Sequence, residues 1–308
     1  MFRFQDQRYD PSKLMEWEYL SNVERHLLSM MGTEAFEYDF VVCSQLGDDN
    51  CPTYTGNKPR SRRVLIWLSD ETSASPLSLT PTYAAIFKAY LLREHRDQGI
   101  WSFPLGYASG VPEFESLPAI DRQITVCFCG CPQPNRLEFG EILLQLASEA
   151  RNSEIKDVAA LRLTLASHPR AAVDLSYAIP NSFLLITPRF GAGLDHRSYG
   201  AMLSNSKIAL CPGGWLSQET FRHFEAMRAG CVLVSAPLPE TRLYKQSPIV
   251  YLHSWKELMP TINRLLSNPR LLSDLQAETV AWWKEVCSEE AQAVYISETL
   301  SERQHRSR

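Results

Sequence analysis

The second half of the chain alternates short apolar runs with amphipathic stretches, and this pattern limits the fold to a few architectures. Apolar runs that do not alternate with polar residues predict buried parallel strands. The predicted strands are residues 124–129, 161–166, 183–187, 207–211 and 231–235, and the predicted helices are residues 136–150, 199–204 and 217–229. This succession of strands and helices favours a parallel sheet covered by helices on both faces.

The first half is organised around shorter signals. Residues 40–43 and 64–68 predict buried strands, residues 81–96 a helix that begins at a proline, and residues 100–105 an extended segment. Residues 108–122 carry two prolines, several charges and no periodicity, which is typical of a linker. We therefore expect an N-terminal domain over residues 1–118, a second domain over 119–300 that ends in helices at 254–266 and 269–300, and a disordered polar tail over 301–308.

Composition excludes several classes of protein. A length of 308 residues suits about two domains, and a hydrophobic fraction of 44% suits a globular chain. A net charge of −4 does not suit a general nucleic-acid binder, so no nucleic-acid partner is expected. No apolar run approaches the ~20 residues of a membrane helix, and the first residues lack the apolar core of a secretory signal. The expectation is a cytoplasmic protein without a transmembrane segment.

The cysteines predict no metal site. Eight cysteines in a chain of this length are too few for a disulfide scaffold, so reduced thiols are expected. Cys127, Cys129 and Cys131 alternate, as in a strand, instead of having the two-residue gap of a zinc knuckle, and no second ligand pair accompanies them. We interpret them mainly as buried strand residues and keep metal binding as the minor alternative.

Residues 207–239 form the most informative unit, a strand, a glycine turn, a helix and a second strand. Gly213 and Gly214 follow the first strand, and without a Cβ they let the backbone approach a ligand closely. A helix that begins near Ser217 would point its first amides at the same place, which suits a phosphate. In open parallel sheets, ligands bind at the carboxyl ends of the strands, where this turn lies.

The same unit resembles the donor-binding signature of GT-B glycosyltransferases, most closely the exostosin-like and related sugar-transferase families. The likeness is carried by ETFRHFEAMRAGCVLVS, residues 219–235, and extends weakly over about residues 64–285. The resemblance implies that Glu225 accepts hydrogen bonds from the ribose of a sugar nucleotide, and that Arg136 and Arg222 lie near the diphosphate. Where such enzymes have two signature glutamates, seven residues separate them, whereas five separate Glu219 from Glu225.

The resemblance implies two Rossmann-like domains facing a cleft, here with a shortened N-terminal domain. The implied activity is metal-independent transfer of a sugar from a UDP- or GDP-linked donor, a co-substrate and not a cofactor, to a saccharide or other hydroxyl acceptor. The donor-site candidates are Arg136, Gly213, Gly214, Ser217, Glu219, Arg222 and Glu225. The alternatives are a catalytically inactive module with this fold and another nucleotide-sugar enzyme such as an epimerase.

An inverting transferase also needs a base for the acceptor hydroxyl. The predicted strand 64–68 ends in Ser69, Asp70 and Glu71, which places two carboxylates at the carboxyl edge of a sheet. Asp70 and Glu71 are therefore the catalytic candidates, with His95 and Asp48 as less well placed alternatives.

Overall fold

The computed structural model describes residues 2–4, 14–44, 54–150, 155, 157–167 and 172–306. The chain divides into two compact units. Unit 1 consists of Met1–Ser109, Pro239–Ser247 and Trp283–Arg308, and unit 2 consists of Gly110–Leu238 and Pro248–Trp282. The sequence predicts a domain boundary after residue 118. In the structure the first segment of unit 1 ends at Ser109, and unit 1 also includes the C-terminal segment Trp283–Arg308.

Unit 1 contains a parallel sheet whose described strands follow the order of the chain. Its elements are β1 (Phe2–Phe4), α1 (Trp17–Met31), β2 (Asp39–Ser44), β3 (Arg63–Leu68), β4 (Ala85–Lys88) and β5 (Ile100–Ser102). Each strand pairs with the next one in parallel. One face of the sheet packs Val41, Leu65, Trp67 and Ile86 into a buried cluster. The predicted strands at 40–43 and 64–68 are confirmed as β2 and β3.

Unit 2 contains the second sheet. Its elements are β6 (Ile124–Gly130), α2 (Leu137–Ala150), α3 (Val158–Ser167), β7 (Val173–Asp174), β8 (Phe183–Ile186), α4 (His196–Ser204), β9 (Ser206–Cys211), α5 (Phe221–Arg228), β10 (Val232–Ser235), β11 (Val250–Tyr251), α6 (Leu258–Leu266) and α7 (Pro269–Trp282). The strand order is β11-β10-β9-β6-β8-β7, parallel except for β7. The α/β class with two parallel-sheet units is therefore confirmed.

The order of strands in unit 2 fixes where a ligand can enter. From β6 the chain continues to β8 on one side and then to β9 on the other side. The loops that leave β6 and β9 therefore diverge, and open α/β sheets bind ligands in the crevice at such a switch point. Residues 131–136 and 212–220, the two loops concerned, contain most of the predicted donor-site residues.

Two predicted elements are wrong in type. Residues 81–96 were expected to be helical, but Ala85–Lys88 is strand β4, fully buried between β3 and β5. Residues 161–166 were expected to form a strand, but Val158–Ser167 is helix α3. In both cases a short apolar run carries no decisive periodicity, and packing against neighbouring elements decides its structure.

The end of the chain also differs from the prediction. Helix α8 (Glu289–Arg306) continues through residues 301–306, where a disordered tail was expected. Its last turns are held within unit 1, since Gln304 Nε2 donates to the Tyr38 hydroxyl and the Arg303 guanidinium lies 5.3 Å from the centre of the Trp101 ring. These contacts order a segment whose composition alone predicts fraying.

Candidate functional site

The two loops at the switch point of unit 2 are joined by Arg136. Its Nε donates to the Gly213 carbonyl at 2.5 Å, and its Nη1 donates to the Cys131 carbonyl at 2.7 Å. The Gly214 amide donates to the Ser217 carbonyl at 2.6 Å, which closes a tight turn. A Cβ at Gly213 would meet Gln218 Oε1 and would lie 2.9 Å from Asn135 Cβ, so a larger residue could fit here only if these side chains moved. Arg136 thus fixes the glycine turn, as well as being a cation at the edge of the sheet.

Arg222 is the second cation at this edge. It is 9% exposed, and its Nη2 donates to the Cys129 carbonyl at 2.6 Å. Its guanidinium lies over the Phe128 ring, 4.6 Å from the centre. Its Nε and Nη1 are buried and make no hydrogen bond with the residues that the structure describes. A buried donor without a partner costs about 1–3 kcal/mol, so these two donors indicate a place for an anion that can accept from them.

Gly130 explains how two guanidinium groups come together at the end of β6. A Cβ at this position would lie 2.7 Å from Arg222 Nη2 and 3.2 Å from Arg136 Nη1. Glycine therefore leaves space that a larger residue would fill. Sequence reasoning did not single out Gly130, because a glycine at the end of a strand gives no signal of what packs against it.

Glu225 lies on the same helix as Arg222, three residues later. It is 6% exposed, and its Oε2 accepts a hydrogen bond at 2.9 Å from the hydroxyl of Tyr199 in α4. Burial raises the pKa of Tyr199 well above its usual value, and the charge of Glu225 raises it further, so the phenol stays protonated and donates. Tyr199 was not predicted as a site residue, since its partner is distant in sequence.

The start of α5 differs from the prediction and changes the role of Ser217. The helix begins at Phe221 instead of near Ser217, with Thr220 as its N-cap. Ser217 and Glu219 therefore precede the helix, and the Glu219 amide donates to Ser217 Oγ at 3.1 Å. Glu219 is 2% exposed. The structure thus keeps Gly213, Gly214, Ser217 and Glu219 in one loop, and the helix whose first amides were expected to point at a ligand there begins four residues after Ser217.

His223 holds the beginning of α5 in place. Its Nδ1 accepts from the Thr220 amide at 3.2 Å, and its Nε2 lies 2.9 Å from Ser235 Oγ at the end of β10. Burial lowers the pKa of His223 to about 3, so the ring is neutral near neutral pH. Thr220 and His223 form a capping box, but the usual sequence signature has Glu or Gln at the position of His223, so only Thr220, a favoured N-cap residue, signals the helix start in the sequence.

The two catalytic candidates lie in unit 1 and have different surroundings. Asp70 is fully buried, with its Oδ2 2.8 Å from Lys88 Nζ and accepting from the Ala74 amide at 2.9 Å. Lys88 is fully buried as well, and its ammonium lies 4.5 Å from the centre of the Trp67 ring. Asp70 therefore neutralises a buried lysine, whereas Glu71 is half-buried in the turn that follows.

Of the alternative bases, His95 lies just before a short 3₁₀ turn and pairs with Ile100, whereas Asp48 lies outside the described residues. Within the described ranges, no three side chains of His, Cys, Asp or Glu are arranged to hold a metal ion. No helix in the same ranges is long and apolar enough to cross a membrane.

Comparison with known proteins gives only distant likenesses. No protein-family model matches the sequence. The curated proteins likewise contain no match. Among solved structures, the chain is similar to the pneumococcal O-GlcNAc transferase GtfA in complex with UDP and GlcNAc, with 12% identity and a TM-score of 0.44, over 92% of this chain and 60% of GtfA.

For two further solved structures, the match extends over a larger share of the other protein. HepE of Anabaena in complex with UDP-glucose is 12% identical, with a TM-score of 0.47, over 90% of this chain and 82% of HepE. A UDP-forming trehalose-phosphate synthase from Burkholderia xenovorans is 10% identical, with a TM-score of 0.48, over 96% of this chain and 80% of the synthase. At such values the likeness concerns the fold, and what each protein binds is a property of that protein.

Proposed function

We propose that the chain is a GT-B glycosyltransferase, related to the exostosin-like families, that moves a sugar from a nucleotide-sugar donor to an acceptor hydroxyl. The observation that carries the proposal is the buried Arg222 beside Arg136 at the switch point of a parallel sheet. Among the described ranges, Arg222 Nε and Nη1 have no hydrogen-bond partner. A guanidinium binds phosphate oxygens in pairs, and a diphosphate suits two adjacent guanidiniums.

The other residues at this edge support a nucleotide in the proposed role. Glu225 is a buried carboxylate three residues after Arg222, and carboxylates accept hydrogen bonds from vicinal ribose hydroxyls. Arg136 and Arg222 would stabilise the negative charge of the departing nucleotide diphosphate, which is the main electrostatic requirement of the transfer. UDP and GDP are the proposed nucleotides, and the cytoplasm is the proposed location.

Calorimetry with UDP and GDP on the full chain tests the proposal. Glu225→Ala should weaken binding roughly ten- to hundredfold, since a hydrogen bond to a charged group is worth about 1.5–3 kcal/mol. Glu141→Ala on the exposed side of α2 is the matched control and should bind as the wild type does. Absence of binding of both nucleotides to the wild type would remove the proposal.

Chelation tests the proposed metal independence. The sequence contains no Asp-x-Asp pair to hold a divalent ion against a diphosphate, and the two arginines can supply the positive charge instead. Release of UDP from UDP-glucose should therefore continue in excess EDTA at close to its initial rate. Loss of turnover that manganese restores would contradict this expectation.

Binding of a nucleotide without turnover of a nucleotide sugar would distinguish an inactive module with this fold from an active transferase. The buried ion pair of Asp70 with Lys88 is the observation that favours it, because this carboxylate is not exposed to an acceptor. Glu71 and Asp70 remain predictions for the acceptor-side base. A chain that binds UDP with the expected dependence on Glu225, yet releases no UDP from UDP-sugars with any acceptor, would support the module.

A further inference from the structure

The hydrogen bond between Tyr199 and Glu225 joins two helices that lie far apart in sequence. Tyr199 belongs to the first turn of α4, which is fixed by Asp195, whose side chain accepts from the Ser198 amide at 2.9 Å. The Tyr199 amide in turn donates to the Asp195 carbonyl at 2.8 Å. The phenol therefore projects from a helix start that is already held in place, and it reaches Glu225 on α5.

The chemistry of the pair gives the hydrogen bond one direction. A protonated phenol donates, and an ionised carboxylate only accepts. A free glutamate side chain has several rotamers, and restricting it to one of them costs conformational entropy. Since Tyr199 holds Oε2, the orientation of the Glu225 carboxylate is set before any ligand arrives. This is preorganisation, which improves affinity by lowering the cost of ordering.

Arg222 and Glu225 lie on the same helix, α5, so the positions of their two side chains relative to each other depend on how each side chain is held. Arg222 is anchored by the Cys129 carbonyl and the Phe128 ring. Glu225 is anchored by Tyr199. The distance between the proposed diphosphate contact and the proposed ribose contact is therefore determined on the protein side by two separate anchors.

We propose that Tyr199 is a positioning residue that gives the site its selectivity for a ribose with free hydroxyls, and this inference rests on the proposed function. Tyr199 acts through Glu225, whose carboxylate accepts from the pentose hydroxyls. A nucleotide without these hydroxyls gains nothing from the orientation of Glu225, so the effect of Tyr199 depends on the ligand.

The test compares UDP with 2′,3′-dideoxy-UDP by calorimetry on the full chain. The wild type should bind UDP about tenfold or more tighter than the dideoxy compound. Tyr199→Phe, which removes only the hydroxyl, should weaken UDP binding about three- to tenfold and leave dideoxy-UDP within about twofold. In the Glu225→Gln background the same substitution should have a smaller effect on UDP, because the two residues act as a unit.

Controls separate this role from a structural one. Tyr177→Phe, in the same unit, should leave both affinities unchanged, and thermal unfolding checks each variant. If Tyr199→Phe does not fold, the same ratio is measured for Tyr199→Met, which likewise has no hydroxyl to donate to Glu225, and the same change is expected. Equal weakening of both ligands, or no change in their ratio, would overturn the inference. If the wild type binds neither UDP nor GDP, the proposed function itself fails, which is a different result.

Discussion

At the scale of single residues, the ion pair of Asp70 with Lys88 is the clearest stability prediction. Asp70→Asn would leave a buried ammonium whose described contacts are the Ala89 carbonyl and the Trp67 ring, and breaking such a pair costs about 3–5 kcal/mol. Urea unfolding should show this loss, whereas Glu71→Gln should change stability by less than about 0.5 kcal/mol.

The double variant Asp70→Asn with Lys88→Met makes the result specific. It removes both charges and should recover much of the stability lost in the single variant, because no uncompensated charge remains buried. If Asp70→Asn left the free energy of unfolding unchanged, this result would contradict the structural role of the pair. The single variant alone is a poor test of catalysis, since unfolding would also abolish turnover.

At the scale of elements, the predictions from sequence succeeded where the pattern was local and long. The strand, glycine turn, helix and strand over 207–239 were expected and are present as β9, α5 and β10. The start of α5 was placed too early, because Ser217 and Thr220 are both acceptable N-cap residues, while the Thr220–His223 capping box sets the start at Phe221.

Contacts between distant residues explain most of what the sequence did not predict. β4 was predicted as part of a helix because Ala85 and Lys88 are helix formers, and nothing local indicates that Lys88 pairs with Asp70. The candidate site shows the same limit. Glu225 and Arg222 were identified from a resemblance, whereas Tyr199 lies outside the signature that carries it.

The segment that opens unit 2 provides a prediction at this scale. Arg122 is 2% exposed and donates to the carbonyls of Leu117, Ser206 and Ala229, so it ties this segment to the starts of β9 and β10. Arg122→Met would leave these carbonyls without that donor and should lower the free energy of unfolding by at least about 3 kcal/mol. Arg189→Met, on an exposed side chain, is the control and should be nearly neutral in the same urea titration.

At the scale of the whole molecule, we expect the stabilities of the two units to depend on pH in opposite directions through two buried groups. In unit 1, burial raises the pKa of Glu16 to about 7, although Ser69 Oγ donates to it at 3.0 Å. The folded form therefore keeps a proton that the unfolded chain releases above its ordinary pKa of 4.5. The stability contributed by Glu16 is complete below about pH 4.5, and roughly 3 kcal/mol of it is lost as the pH rises through 7.

In unit 2 the sign is opposite. Because burial lowers the pKa of His223 from 6.5 to about 3, the unfolded chain binds a proton that the folded form excludes. The stability contributed by His223 is complete above about pH 6.5, and roughly 4 kcal/mol of it is lost as the pH falls to 3. Acidification from pH 7 to pH 5 should thus weaken unit 2 through His223 and strengthen unit 1 through Glu16.

Hydrogen exchange between pH 5 and 7, corrected for the intrinsic rate at each pH, can resolve the two units because it reports opening free energies segment by segment. The amides of β3 report on unit 1, and those of β9 report on unit 2. Glu16→Gln should remove the increase in opening free energy that the β3 amides show at low pH, and should leave the β9 amides unchanged. His223→Gln should reduce the pH dependence of the opening free energy of the β9 amides alone. Other carboxylates also titrate, so the difference between each variant and the wild type is the quantity to compare. A wild-type response that neither substitution alters would show that these two buried groups do not set the pH dependence of their units.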